Sequence, residues 1–256
     1  MVVHQKPYSG DIKMSQTVKE GLILNGRDRT YEGRITLVSE EEITLIMDLE
    51  HKTNIPEIRA SRDIILYRFS RGMKMFGFWI DGKLVSSLGF TFRRFFPDRP
   101  NELPETFEEY TNPDACLRWD FNSICTNGFN IDYDLRKEGI GSVVAKSMID
   151  VFIEQGKACG WVYGLADPRL HTYNGCNHPP IEVFRQDPKV KDAVDKAMSG
   201  ERKFTLKDLL RDPEFRVYHR LAGEKTKIVK LMPKTWFPQD YPSGGHGVYV
   251  YLDLRT

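Results

Sequence analysis

At residues 135–142 the chain reads Leu-Arg-Lys-Glu-Gly-Ile-Gly-Ser and runs at once into an amphipathic stretch. Val144, Ala145, Met148, Ile149 and Phe152 recur there at helical spacing, which predicts a helix with one apolar stripe. Two glycines ahead of a helix let the backbone turn sharply and approach an oxyanion with no Cβ in the way. The unpaired N–H groups of the first helical turn, and the positive end of its dipole, then face that anion. Gly156 and Gly160 offer the stop. Two familiar phosphate loops are excluded. A dinucleotide fingerprint requires a third glycine where Val144 stands, and a P-loop requires a lysine where Gly141 stands. A plain structural turn stays open on these residues alone.

The flanking elements narrow the fold. Residues 1–33 are polar and weakly patterned and are read as an N-terminal extension, with residues 34–256 as the domain proper. A strand is expected at 34–38, then a capping box from Ser39 to Glu42 and a helix carrying Ile43, Ile46 and Met47. Residues 75–80 and 83–90 flank Asp81-Gly82, the signature of a two-residue type I′ hairpin. A loop rich in proline and acidic residues spans 93–115, and a strand within 117–131 delivers the chain to the glycine motif. After the helix come a short buried strand at 161–165 and a long polar insertion at 166–211, with helical pieces near 188–199 and 205–211. Asp212-Pro213 opens a last helix through Phe215, Val217, Tyr218 and Leu221, and strands at 227–232 and 247–254 close the chain. This order predicts a mixed α/β layer arrangement and excludes a helical bundle or an all-β sandwich.

Composition removes whole classes of function. Lys plus Arg is 37 against 36 for Asp plus Glu, so there is no basic field for nucleic acid. The apolar runs are too short to span a bilayer, and residues 1–6 show no signal-peptide h-region. Cys116, Cys125, Cys159 and Cys176 are widely spaced, without a C-x-x-C pair, and read as reduced thiols of a cytoplasmic protein.

The element order, with Arg136-x-x-Gly139-x-Gly141 after a central strand, resembles the GNAT superfamily of CoA-dependent N-acyltransferases. The Asp81-Gly82 hairpin supports the resemblance. So does Val217-Tyr218-His219-Arg220-Leu221-Ala222-Gly223, which is similar to that family's Phe-Tyr-x-x-x-Gly-Phe helix end. The segment from Asp212-Pro213-Glu214-Phe215 to Gly244-Gly245-His246-Gly247-Val248 is similar to a GNAT subgroup often fused to nitrilase-like domains, although no nitrilase segment is present.

The resemblance implies a mostly antiparallel central sheet flanked by helices, with the long insertion before the last helix. It also implies acetyl-CoA or another acyl-CoA as co-substrate. The pantetheine would pair between two splayed strands, with Ile131 as the backbone contact near the acyl end. Arg136, Lys137, Glu138, Gly139, Ile140, Gly141 and Ser142 would hold the diphosphate. Transfer proceeds by direct attack of a small-molecule amine on the thioester in a ternary complex. Tyr218 would sit near the sulfur as general acid; its rival role is simple packing beside Phe215 and Leu221. Asp120, a carboxylate at a mid-strand position, is a candidate base whose rival role is a hydrogen-bonded strand aspartate, and His171, His178 and His219 are other bases of suitable ordinary pKa.

Acceptor contacts are expected from Arg93 and Arg94, whose guanidinium forks suit carboxylates or phosphates, and from His171, Tyr173 and His178 in the loop beyond the 161–165 strand. Cys176, His171 and His178 lack a closed framework, so no metal is expected. No nucleic acid or membrane partner is expected either, and a homodimer is compatible with the sequence. Two alternatives remain open: an acyl-carrier-protein donor in place of CoA, and a non-catalytic CoA-binding sensor.

Overall fold

The Asp81-Gly82 turn seeds the sheet. In the computed structural model, which describes residues 17–112, 121–178, 182–223 and 225–255, Asp81 (φ 50°) and Gly82 (φ 77°) both take the positive φ of a type I′ turn. Before it, β1 (Thr17–Asn25) and β2 (Thr30–Leu37) form an antiparallel pair, and β2 adds to the outer edge of β3 (Lys74–Ile80). Among the described residues the sheet begins at Thr17, and residue 33 falls within β2. The alternation in β1 is hidden because its register shifts twice, between Thr17 and Lys19 and between Lys19 and Leu22.

After the turn come β4 (Lys83–Arg93), β5 (Ser123–Ile131) and β6 (Tyr163–Ala166). β7 (Cys176–His178) and β8 (Glu182–Phe184) make a separate two-stranded ribbon. β9 (Lys227–Leu231) and β10 (Val248–Asp253) complete the main sheet, whose eight strands lie in the order β1-β2-β3-β4-β5-β6-β10-β9. Every neighbouring pair is antiparallel except β5–β6, which is parallel.

Helices cover both faces. On one, Ser39 donates its N–H to Glu42 Oε2 at 2.8 Å and opens α1 (Ile43–Thr53). Ile43, Ile46 and Leu49 then bury against Met75, Trp79 and Leu84, together with Ile65 of α2 (Arg62–Ser70). Two short helices follow, α3 (Phe107–Thr111) inside the expected 93–115 loop and α4 (Asp134–Lys137) ahead of the glycine motif. On the opposite face α5 (Gly141–Ala158) buries Val144, Met148, Val151 and Phe152 on Leu88, Phe90 and Ile124. Gly156 is not the stop. It lies within α5, where an added Cβ would come 2.6 Å from Leu254 Cδ1, and Gly160 (φ 72°) follows the helix end.

The 166–211 insertion folds into the ribbon plus α6 (Pro188–Met198) and α7 (Leu206–Leu209). Its Leu170, Val190, Val194 and Leu209 pack with Val248, Val250 and Phe215 of α8 (Pro213–Ala222), the helix beside α5. Among the described residues no helix is long and apolar enough to cross a membrane.

Candidate functional site

The central opening follows from strand pairing. β5 and β6 share only three rungs, Ser123–Tyr163, Ile124–Gly164 and Cys125–Leu165. Beyond Cys125, β5 runs on with β4 as far as Ile131, which pairs with Ser86, while β6 ends at Ala166. A bulge drives the divergence. Leu88 opposes Phe129 and Phe90 opposes Thr126, so Asn127 and Gly128 together face Gly89 alone, and Gly128 takes φ 111°. The β5 edge from residue 126 to 131 thereby lines a slot, and Tyr110, wholly buried, donates its hydroxyl to Thr126 O at 3.0 Å near the vertex.

The glycine motif closes the wide end of this slot. Asp132 is almost fully buried; its Oδ1 accepts the N–H of Asp134 at 3.0 Å, fixing the start of α4. Burial opposes ionisation of Asp132, but Lys52 at 2.6 Å and Lys83 at 3.2 Å outweigh it and hold the carboxyl below its ordinary range. Gly139 turns the chain with φ 76°. Within the turn, Glu138 N–H donates to Asp134 O (3.3 Å) and Ile140 N–H to Leu135 O (3.1 Å), so these two amides serve the turn itself. Val143 and Val144 both donate to Ile140 O. The N–H groups of Gly141 and Ser142 stand in the first turn of α5, where a helix has no intrahelical acceptor for them. The Arg136 side chain lies outside the described residues.

At the narrow end, Leu88, Thr126, Ile149, Phe152, Ala166 and Tyr218 line a pocket on the α5–α8 face. Burial raises the Tyr218 phenol well above its ordinary pKa, and the charges of Glu214 and Asp167 raise it further, so it stays protonated. Its ring meets Phe129 edge-on, with centroids 6.4 Å apart.

Beyond the end of β6 sits a cluster of charges drawn from three segments. Asp167, half-buried just after β6, is pushed up to about 8 by burial; Arg169 opposes the shift and Glu214 adds to it. His171, 5 % exposed, places Nε2 2.8 Å from Glu214 Oε2 and stacks on Phe184. Burial disfavours both charges, yet each outweighs that on the other: the imidazole is raised and the carboxyl lowered, giving an ion pair. Arg169 Nε lies 3.6 Å from Asp240 Oδ2. Asp212 locks the cluster in place, capping α8 through Glu214 N–H (3.0 Å) and accepting from Thr172 N–H (2.9 Å) and Oγ1 (2.8 Å).

The expected site residues divide. Tyr218 lines the pocket, Ile131 ends β5, residues 137–142 form the turn and helix start that follow, and His171 joins the charge cluster. Arg93 is not on an exposed loop: it ends β4, is 7 % exposed, and donates Nη2 to the carbonyls of Glu109 and Tyr110, pinning α3. Arg94 is exposed and lies over the Phe96 ring at 5.0 Å, with Arg99 on the same ring at 4.8 Å. Tyr173 is taken up by the insertion, donating to Asp195 Oδ1 at 2.7 Å and accepting from Lys191 Nζ at 3.2 Å. Asp120 and the His178 side chain lie outside the described residues. Asp167, Arg169 and Glu214 were not singled out as site residues, although the loop opening Asp167-Pro168-Arg169 follows a strand end and was expected to meet substrate.

No protein-family model and no curated protein sequence matches the chain. Solved structures similar to it include the GphF GNAT-like decarboxylase in complex with isobutyryl-CoA and the loading GNAT-like domain of CurA from Lyngbya majuscula. Each is 18 % identical with a TM-score of 0.60, over 87 % of this chain and 100 % or 98 % of the other. The chain has the GNAT fold. The narrower likeness to the nitrilase-fused subgroup has no counterpart in these matches.

Proposed function

We propose that this GNAT-fold chain binds an acyl-CoA along the β5–β6 slot and transfers the acyl group to the amine of a small-molecule acceptor. The divergence of β5 from β6 after Cys125, with a helix-start anion cradle at one end and Tyr218 at the other, carries the proposal. The backbone edge at residues 126–131 suits the amides of a pantetheine arm, which would pair with it as an added strand. The N–H groups of Gly141 and Ser142 suit the diphosphate. A carrier-protein donor ends in a single phosphodiester, so this cradle favours CoA.

In the transfer step the amine nitrogen attacks the thioester carbon, the N–C bond forms and the C–S bond breaks. The nitrogen must lose a proton and the thiolate must gain one. Tyr218 is a weaker acid than a thiol of ordinary pKa about 8.5, so its part is to donate a hydrogen bond to the leaving sulfur. Asp167, at the vertex with a pKa of about 8, is the group able to take and release the proton near neutral pH.

The GphF neighbour is a decarboxylase in name. Here, however, Arg169 faces Asp240 and His171 faces Glu214. Each cation already has its own carboxylate, which favours an uncharged acyl group over a carboxylated one.

Turnover of acetyl-CoA with a panel of amines tests the proposal. Tyr218→Phe should lower kcat about 100-fold while CoA affinity is held. Unchanged turnover would remove Tyr218 from the chemistry. Tight CoA binding by the wild type with no turnover of any amine would favour the sensor, and no CoA binding would end the proposal.

A further inference from the structure

The pocket at the narrow end of the slot extends past the place where β5 and β6 close. Its mouth is formed by Thr126 and Tyr218, level with the end of the paired rungs. Its floor is formed by Gly164 of β6 and Leu252 of β10, and its wall by Phe152 and Ile153 of α5. Gly164 pairs with Ile124, one rung behind the last rung, Cys125–Leu165. A pantetheine arm pairing along residues 131 to 126 ends at the mouth, so the space behind Thr126 is left for whatever the sulfur carries.

The lining decides what that is. Apart from the hydroxyl-bearing Thr126, Thr226, Tyr218 and Tyr251, the residues lining the cavity are apolar. An ammonium acceptor or an amide would lose its hydration there without replacement, whereas an alkyl chain gains by leaving water. The cavity itself measures about 50 Å³, room for a few water-sized groups and so for more than the methyl group of an acetyl. A Cβ at residue 164 would stand 3.3 Å from Phe152 Cε1 and 3.7 Å from Leu254 Cδ2, so a larger side chain there presses on Phe152, which lines the cavity, and narrows it.

We propose that this pocket holds the acyl group of the CoA thioester, that it selects saturated acyl chains longer than acetyl, and that Gly164 sets its width. The proposal rests on the acyl-CoA assignment above and adds the class of donor. Each methylene that enters raises affinity about fourfold.

Titration calorimetry of the full chain with free CoA and with acetyl-, butyryl-, isobutyryl- and hexanoyl-CoA tests it. Wild-type affinity should climb about fourfold per methylene from acetyl to butyryl. Gly164→Val should flatten the series, so that acetyl and hexanoyl thioesters bind alike. Should Gly164→Val fail to fold, as judged by its melt, Ile153→Phe fills the same cavity from the half-buried helix side and should flatten the series too. Wild-type binding that is equal across the series, or a series that stays steep in the folded variants, overturns the acyl pocket and leaves the CoA assignment standing. No binding of free CoA or of any thioester overturns the CoA assignment itself.

Discussion

Replacing Gly139 by alanine isolates the cradle from the rest of the fold. Gly139 has φ 76°, and the nearest atom to an added Cβ is Arg27 Cγ at 4.0 Å, so the site has room for a methyl group and the cost is conformational alone. Holding an L-residue in that left-handed conformation costs about 1–2 kcal/mol. If the turn keeps its shape, the chain bears that cost as lost stability, a fall in Tm of about 2–8 °C for a domain of this size. If the turn relaxes, it breaks the bonds from Ile140 N–H to Leu135 O and from Arg27 N–H to Glu138 O and re-aims the N–H groups of Gly141 and Ser142. Losing one charge-assisted hydrogen bond to an anion costs about 1.5–3 kcal/mol, or about 10- to 150-fold in CoA affinity. Gly160→Ala is the control. Gly160 has φ 72° in equally open space at the far end of α5, so it should lose stability alike and CoA affinity not at all. Calorimetric Kd values and melts for both variants decide the matter. The cradle is refuted if Gly139→Ala both melts and binds CoA as wild type does, or if Gly160→Ala weakens binding as much.

Two further outcomes follow from the charge cluster. The Asp167 carboxyl, ordinarily near 3.8 and raised to about 8, stays protonated in the fold while the unfolded chain ionises, so wild-type stability should fall as pH rises from 4 to 8. Asp167→Asn should flatten that slope and remove an inflection near pH 8 from the kcat/KM profile; equal slopes in the two proteins would contradict the shift. The His171–Glu214 pair stabilises the fold between the lowered pKa of Glu214 and the raised pKa of His171, and is lost as pH falls through the first or rises through the second. Glu214→Gln should therefore cost about 3 kcal/mol near pH 6 by leaving a buried imidazolium unpaired, and a urea titration showing less than 0.5 kcal/mol would refute it.

Local signals were legible in the sequence, and long-range assembly was not. The Asp81-Gly82 turn, the Ser39–Glu42 box, the α5 stripe and the Asp212-Pro213 helix start each depend on residues within a few positions of one another, and each stands where expected. β1 was missed because two register shifts interrupt its period-two pattern. The sequence points to Arg93 as an acceptor contact because nothing local shows that its guanidinium will be occupied by the carbonyls of α3. Asp167, Glu214 and Asp240 meet only once β6, α8 and the loop before β10 are in place. Their burial and altered proton affinities are products of tertiary packing, and no spacing rule encodes them.

Hydrogen exchange on the full chain, with and without saturating acetyl-CoA, tests the central claim most directly, because it locates a bound CoA along the backbone. Protection is predicted in peptides covering residues 126–131, 139–144 and the α8 segment with Tyr218, with residues 188–198 of the insertion unchanged. Protection centred on the insertion, or none in 139–144 at saturating ligand, would contradict it.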